Sequence, residues 1–227
     1  MPLRAVIFDY GLVLSAPADP AAHAHMLEIS GLAPEIFETH YWKFRLDYDQ
    51  GKLNGRSYWE TLAKDTGLSL TPEQIGSLIE QDVRMWASVD PVMLAWAARI
   101  QASRMKTAIL SNMGEDLLAH MRKNFRWLSG FDHLTWSCEL NLIKPQAAIY
   151  LHAVERLGVK PEEALFLDDR IENVEGARQV GLHALLFRTP ALLQADLDQD
   201  GWASQLPPVI APNALNGADH LASDRKQ

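Results

Sequence analysis

The sequence predicts an α/β fold: a doubly wound parallel sheet with an α-helical segment inserted after its first strand. Four short apolar runs, at residues 5–8, 107–110, 164–167 and 184–187, have the length and composition of buried parallel strands. Helical segments alternate with the later runs, which is the pattern of a doubly wound sheet. The long stretch between the first run and the second contains no strand-like run.

The remaining elements are predicted from a weaker apolar run and from the capping residues, prolines and glycines that begin and end helices. A weaker fifth strand is predicted at residues 133–137. Asp90 and Pro91 supply an N-cap and a first helical residue, which predicts a helix from there towards Ala102. Two further helices are predicted, one running from Pro145 to Leu157 and stopping at Gly158, the other running from near Arg170 to just before Gly181.

Residues 16–89 are predicted to form a helical insertion of about four helices that covers the strand ends. Helix starts are expected from capping boxes at residues 57–60 and 71–74. One helix should bury a stripe made of Phe37, Tyr41, Phe44 and Tyr48, which recur at helical spacing. The proposed division is therefore a sheet-containing core at 1–15 and 90–200, a cap at 16–89, and a tail at 207–227 that is extended or poorly ordered.

Composition excludes several classes of protein. A formal net charge of −8 argues against nucleic-acid binding, which needs a basic face. Cys138 is the single cysteine, so an intramolecular disulfide is excluded and a reducing compartment is favoured. No apolar run approaches the roughly 20 residues of a membrane span, and the chain begins directly with a strand. We expect a soluble cytoplasmic protein, with an oligomeric state that the sequence leaves open.

Polar side chains follow three of the predicted strands, where a parallel sheet binds ligands. Each of these side chains, taken singly, could be an ordinary turn or capping residue. They are Asp9, the pair Ser111 and Asn112, and the pair Asp168 and Asp169. Together they fall at one edge of one sheet. Three carboxylates at one place repel one another unless a cation holds them, and oxygen ligands beside a phosphate site favour Mg²⁺. Lys144 would supply the remaining positive charge.

These motifs, in this order, resemble those of the haloacid dehalogenase (HAD) superfamily, in the subgroup with a helical cap after the first strand of a Rossmann-like core. The resemblance covers residues 3–188 and implies a role for each motif. Asp9 would be the nucleophile that forms an aspartyl-phosphate, and Lys144 would neutralise Asp9 and the phosphate. Ser111 and Asn112 would bind the transferring phosphoryl group. The Mg²⁺ ligands would be Asp9, the Gly11 backbone carbonyl, Asp169, less certainly Asp168, and Asn173 through water. Arg170 lies inside the last motif, and its ordinary structural role would be a salt bridge across the cleft.

Gly11 departs from the family pattern. Most phosphatases of the family carry a second aspartate there, which acts as general acid and base. Its absence removes a contribution of typically about 10²–10⁴-fold. We therefore expect substrates whose leaving groups depart without protonation, such as sugar 1-phosphates, acyl phosphates or aryl phosphates.

The cap offers weaker candidates. Arg45 and Trp42 could grip a polar substrate, although a solvated arginine packed on tryptophan is an equal reading. Tyr48, Lys52 and Arg56 are weaker still, and the histidines lack metal-binding spacing. We expect the four tryptophans of the cap and its junction to be core residues: Trp42, Trp59, Trp86 and Trp96.

Three functions remain open at this point. The favoured one is a Mg²⁺-dependent hydrolase of a small phosphorylated metabolite. A dehalogenase, in which Asp9 displaces halide from carbon, agrees with Gly11 but not with the acidic pair Asp168 and Asp169. A catalytically weak HAD-like protein that binds a ligand or partner is supported by Gly11 alone.

Overall fold

A five-stranded parallel sheet forms the centre of the molecule. The computed structural model describes residues 2–210. The strands are β1 Ala5–Phe8, β2 Lys106–Ser111, β3 His133–Trp136, β4 Ala164–Asp168 and β5 His183–Leu186. They are arranged in the order β3-β2-β1-β4-β5, with every neighbouring pair parallel. The predicted doubly wound α/β fold is confirmed.

Helices cover both faces of the sheet because alternate strand residues point to opposite sides. In β1, Val6 and Phe8 pack into one core and Ala5 and Ile7 into the other. The helices that follow the insertion are α6 Pro91–Ala102, α7 Glu115–Asn124, α8 Ser137–Leu140, α9 Ala147–Leu157, α10 Ile171–Gln179 and α11 Pro190–Gln199. Helices α6, α7 and α11 pack on the first face, and α9 and α10 on the second.

Helix α9 begins two residues later than the sequence predicts. Two hydrogen bonds tie the Lys144 backbone to the Asn112 side chain: Lys144 N donates to Oδ1 at 2.9 Å, and Nδ2 donates to the Lys144 carbonyl at 3.1 Å. Lys144 and Pro145 are therefore held in a loop, and the helix starts at Ala147 after the N-cap Gln146. This contact from another strand end is invisible in the local sequence.

The inserted segment has a hydrophobic core of its own. Its helices are α1 Pro20–Ser30, α2 Pro34–Lys43, α3 Arg45–Asp49, α4 Gly55–Thr66 and α5 Pro72–Trp86. The prediction of about four helices misses the interruption between α2 and α3. The single stripe predicted from Phe37 to Tyr48 is accordingly wrong at Phe44, which is only half-buried.

The start of α4 also corrects a prediction. Ser57 is not the N-cap: the cap is Asn54, whose side-chain oxygen accepts a hydrogen bond from Ser57 N at 2.8 Å. The Ser57 hydroxyl accepts from Asn54 N in return. The reciprocal box predicted at Thr71 and Gln74 is present.

The chain after Leu206 packs on the sheet-containing core as far as the structure describes it. Trp96 Nε1 donates to the Pro207 carbonyl at 2.8 Å, and Val209 is buried. Of the tail predicted to be extended or poorly ordered, residues 211–227 lie outside the described residues. Within residues 2–210, no helix combines the length and the apolar character needed to cross a membrane.

Candidate active site

A cavity of about 500 Å³ lies between the carboxyl ends of the strands and the inserted helices. Asp9 directly follows β1, Ser111 ends β2 and Asp168 ends β4, so adjacent strands deliver these side chains to one edge. The predicted site residues that line the cavity are Asp9, Gly11, Trp42, Arg45, Ser111, Asn112, Lys144, Asp169 and Asn173.

Lys144 lies between two carboxylates at the floor of this cavity. Its Nζ is 2.9 Å from Asp9 Oδ1 and 2.6 Å from Asp168 Oδ2, and all three side chains are buried. The Asp9 carboxylate also accepts a hydrogen bond from Tyr10 N at 2.7 Å. Asp168 Oδ1 accepts from Arg170 N and from Asn173 Nδ2, both at 2.9 Å. Asp168 is thus fixed from both sides.

The charges at this floor are not balanced by Lys144 alone. Burial raises the pKa of Asp9 to about 7; Lys144 opposes that shift, whereas Asp168 and Asp169 add to it. Burial likewise raises the pKa of Asp169, with a further contribution from Asp168. Burial would lower the pKa of Lys144, but Asp168 and Asp9 outweigh it and raise that pKa. An excess of negative charge therefore remains, as a cation site requires.

The donor set fits a hard divalent cation. One carboxylate oxygen each from Asp9, Asp168 and Asp169 lie within 4.8 Å of one another. Mg²⁺ takes oxygen ligands in octahedral geometry and keeps several waters, so a partly open cluster of carboxylates suits it. The predicted convergence of the three carboxylates is confirmed by this geometry.

Ser111, Asn112 and Gly11 occupy the rim of the same floor. Within residues 2–210 the Ser111 hydroxyl has no hydrogen-bond partner, whereas the Asn112 side chain is engaged with the Lys144 backbone. A Cβ added at Gly11 would approach only Asp9 Oδ2, at 3.9 Å, an ordinary contact. The site therefore has room for a side chain at position 11 that the sequence does not provide.

Arg45 faces the cavity from the cap, but its charge is already paired. Its Nε donates to Asp49 Oδ1 at 3.0 Å, and its Nη1 lies 2.8 Å from Asp82 Oδ1. Tyr41 Oη also donates to Asp82 Oδ1, at 2.5 Å. Arg45 is buried, so the alternative of a solvated arginine is wrong. Burial raises the pKa of Asp49, with Arg45 acting against it.

Several other expectations about side chains need correction. Tyr48, Lys52 and Arg56 do not line the cavity; they contact Asp116, Asp47 and Glu60 respectively. Arg170 lines it but pairs with Glu172 two residues along, not across the cleft. Trp59 and Trp96 are core residues as predicted, whereas Trp42 is 50% exposed and lines the cavity together with Trp86.

Sequence reasoning missed the apolar part of the lining. Its members are Tyr10, Leu12, Leu46, Trp86, Met113 and Leu117. Four of them lie within three residues of a predicted site residue (Tyr10 and Leu12 near Asp9, Leu46 after Arg45, Met113 after Asn112), so sequence proximity is the signal that was available. Asp82 gave no such signal, because it lies 37 residues from Arg45.

Comparison with known proteins agrees with this architecture. A family model described as haloacid dehalogenase-like hydrolase matches residues 17–181. Bifunctional epoxide hydrolase 2 of Rattus norvegicus is 28% identical over an alignment of 243 positions. The alignment covers 97% of this chain and 43% of that protein. This chain thus spans less than half of that relative's length. (S)-2-haloacid dehalogenase 1 of Pseudomonas sp. (strain CBS-3) is 27% identical over 196 residues, covering 81% of this chain and 84% of the dehalogenase.

Solved structures share the fold. The HAD family enzyme BT-2542 of Bacteroides thetaiotaomicron has a TM-score of 0.71 at 18% identity, covering 83% of this chain and 95% of that one. The same enzyme, crystallised with magnesium and inorganic phosphate, has a TM-score of 0.66, again at 18% identity, and covers 82% of this chain and 94% of that one. At this level of identity the likeness establishes the fold alone.

Proposed function

Because this chain belongs to the haloacid dehalogenase-like hydrolase family, we propose that it is a Mg²⁺-dependent phosphomonoesterase that forms an aspartyl-phosphate. The observation that carries the proposal is the floor of the cavity, where three carboxylates converge and a buried lysine contacts two of them. We further propose that residues 16–89 act as the cap over a core formed by 1–15 and 90–200, and that the protein works in the cytoplasm.

Asp9 is the nucleophile in this proposal. A carboxylate oxygen of Asp9 attacks phosphorus, the bond from phosphorus to the ester oxygen breaks, and that oxygen leaves with the bonding electron pair. Water then attacks the phosphorus of the acyl phosphate, which releases inorganic phosphate and restores the Asp9 carboxylate. Lys144, 2.9 Å from Asp9 Oδ1, favours the ionised form of Asp9 against the effect of burial and offsets the charge of the incoming phosphate.

Asp9, Asp168 and Asp169 would hold the metal, with the Gly11 carbonyl and Asn173 as the further ligands expected from the family pattern. Bound Mg²⁺ supplies Lewis-acid stabilisation of charge on the phosphoryl oxygens. Asn173 also has a role of its own: its amide, 2.9 Å from Asp168 Oδ1, fixes the orientation of that carboxylate. The magnesium and phosphate bound by BT-2542 support this assignment by analogy of fold.

Ser111 and Asn112 bind the phosphoryl group in this proposal. The Ser111 hydroxyl, buried and free of partners among the described residues, is available to a phosphate oxygen. The Asn112 side chain acts on phosphate indirectly as well, because it holds the Lys144 backbone in place. Gly11 provides no acid for the leaving group, so esters of good leaving groups are the favoured substrates.

A second reaction, displacement of halide from carbon by Asp9, is favoured by the similarity to a haloacid dehalogenase and by Gly11. The acidic pair Asp168 and Asp169 argues against it, because halide displacement needs no cation and gains nothing from clustered carboxylates.

A screen of phosphorylated metabolites tests the proposal. Inorganic phosphate should be released with Mg²⁺, not with chelator, and not by the Asp9→Asn variant. Halide release from 2-haloacids, measured in parallel with and without chelator, separates the two reactions. Phosphate release that survives Asp9→Asn would contradict the mechanism.

A further inference from the structure

The wall of the cavity above the acidic floor is largely apolar, although the floor is highly polar. Four exposed or half-buried side chains of the lining are large and hydrophobic: Leu12, Trp42, Leu46 and Trp86. Trp42 and Leu46 are 50% and 56% exposed, and Leu12 is 40% exposed. Large apolar groups that face a concave site with convergent polar groups are typical of a ligand pocket.

The aromatic residues of this wall offer no free hydrogen-bonding groups. Tyr10 Oη donates to the Trp86 carbonyl at 2.8 Å, Trp86 Nε1 donates to Tyr41 Oη at 3.1 Å, and Trp42 Nε1 donates to Glu38 at 3.0 Å. Each ring therefore presents only carbon surface to the cavity. A sugar, whose hydroxyls need partners when they leave water, would leave them unpaired against this wall.

The cations that line the cavity do not favour a substrate with a second anionic group, because each of them is paired with carboxylates. Arg45 faces two carboxylates, Asp49 and Asp82. Arg170 pairs with Glu172, and Lys144 contacts two carboxylates at the floor. A second phosphate or a carboxylate on the substrate would therefore meet the Arg45 guanidinium already outnumbered by two carboxylates.

We propose that the leaving group is a flat, apolar aryloxide with no charged substituent, so that the substrate is an aryl phosphate seated on Trp42, Leu46 and Leu12. This inference rests on the proposed phosphatase function and narrows it. A phenolate departs without protonation, which agrees with Gly11, and a planar ring stacks on an exposed indole face. Sugar 1-phosphates, one of the other two substrate classes considered above, also have a leaving group that departs without protonation, but a sugar has no planar ring to stack on the indole.

Two aryl esters of similar leaving-group acidity test this directly: phenyl phosphate and 2-naphthyl phosphate. The larger ring buries about 50 Å² of additional apolar surface, which predicts a kcat/KM about 5- to 10-fold higher. Glucose 1-phosphate should be hydrolysed less efficiently than either. Trp42→Ala should remove most of the naphthyl preference, and Trp42→Phe should retain it.

Ile36→Ala is the matched control, because Ile36 is 47% exposed on the same helix and does not line the cavity. It should leave the ratio between the two aryl esters unchanged. Equal kcat/KM for the two esters, or a preference for glucose 1-phosphate that still requires Asp9, would overturn the inference and leave the phosphatase proposal standing.

A binding measurement distinguishes a failure of the aryl phosphate inference from a failure of the phosphatase proposal. Calorimetric titration with 2-naphthylmethylphosphonate and with methylphosphonate, each with and without Mg²⁺, does not depend on turnover. The naphthyl compound should bind more tightly to the wild type and to Asp9→Asn, and Trp42→Ala should reduce that difference. Equal affinities would overturn the inference. Absence of phosphate release from every ester, with the affinity difference intact, would instead contradict the phosphatase.

Discussion

Asp9 is held in an environment that destabilises its negative charge. This destabilisation is what we expect of a residue with its proposed role. The carboxylate is buried beside two other acids and has one cation, Lys144, within ion-pair distance. Groups with strongly raised pKa values in a cavity are typical of functional sites, where stability is given up for reactivity. The Asp9 carboxylate is therefore expected to destabilise the metal-free protein.

Asp9→Asn should raise the thermal stability of the metal-free protein at pH 8. Folding raises the pKa of Asp9 from 3.8 to about 7, so the protonated form is favoured in the folded state. The associated stability is present below pH 3.8 and is lost as the pH rises towards 7, so the gain from Asn should be on the order of 3 kcal/mol at pH 8 and smaller at pH 5. Thermal unfolding with chelator, followed by circular dichroism, measures it.

The exposed Asp200→Asn serves as the control for this measurement and should change the melting temperature little at either pH. A loss of stability in Asp9→Asn at pH 8 would show that the charge of Asp9 is well compensated and would contradict the account of the site.

At the scale of elements, the interruption between α2 and α3 sets the shape of the cap wall. The helix ends at Lys43 and restarts at Arg45, which turns the guanidinium towards Asp82 on α5 and Asp49 on α3. The same turn leaves Trp42 and Leu46 facing the cavity. The apolar wall residues Trp42 and Leu46 thus lie on the same segment as the buried ion pairs of Arg45.

Arg45→Met should destabilise the protein by about 3–5 kcal/mol, because it leaves Asp49 and Asp82 buried without their cation. Arg56→Met is the matched control in the same segment. Arg56 pairs with Glu60 at the surface, where ion pairs contribute little. Urea unfolding at neutral pH measures both. Equal losses of unfolding free energy in the two variants would show that the buried ion pairs of Arg45 contribute no more stability than a surface pair.

Elements could be predicted where local sequence determines them. Strands β1 and β4 and helix α6 were predicted to the residue or nearly so, because apolar runs and an Asp-Pro start are local signals. The break at Phe44 and the late start of α9 were not, and next to each a residue contacts a side chain distant in sequence: Arg45 contacts Asp82, and Lys144 contacts Asn112.

The site was likewise predicted where topology or local sequence determines it, and missed where side-chain packing does. The acidic residues of the floor were predicted because each ends or follows a strand of one parallel sheet, and the topology brings strand ends together without knowledge of side-chain packing. The apolar wall was predicted only in part, because whether a large side chain enters the core or the cavity depends on how the cap helices pack. Trp42 was predicted both as a substrate contact and as a core residue, and its 50% exposure contradicts the second prediction. Trp86 packs against the hydrophobic cores as predicted, but it also lines the cavity.

At the scale of the whole molecule, contacts between the inserted helices and the sheet-containing core enclose the site. Tyr48 Oη donates to Asp116 Oδ2 at 2.8 Å, Gln50 Nε2 donates to the Asn141 carbonyl at 2.7 Å, and the Ser137 hydroxyl donates to the Asp49 carbonyl. These bonds join α3 and the turn after it to α7 and α8. The cavity is therefore built by both parts of the chain.

Mg²⁺ should stabilise the whole protein, because a ligand that binds only the folded state shifts unfolding by mass action. At 100 times the dissociation constant the gain is about 2.7 kcal/mol. Asp169→Asn should reduce this gain while leaving the metal-free protein folded, because Asp169 is less buried than Asp9 and Asp168. Differential scanning calorimetry with a Mg²⁺ titration measures it. A melting temperature independent of Mg²⁺ would argue against a metal at this site.

The central claim is that Asp9 becomes phosphorylated during turnover, and acid-quenched mixing of the protein with a substrate radiolabelled in its phosphoryl group tests it most directly. We predict protein-bound label that requires Mg²⁺, maps to the peptide containing Asp9, and is absent from Asp9→Asn. Rapid release of labelled phosphate with no label on that peptide at any quench time would contradict the account.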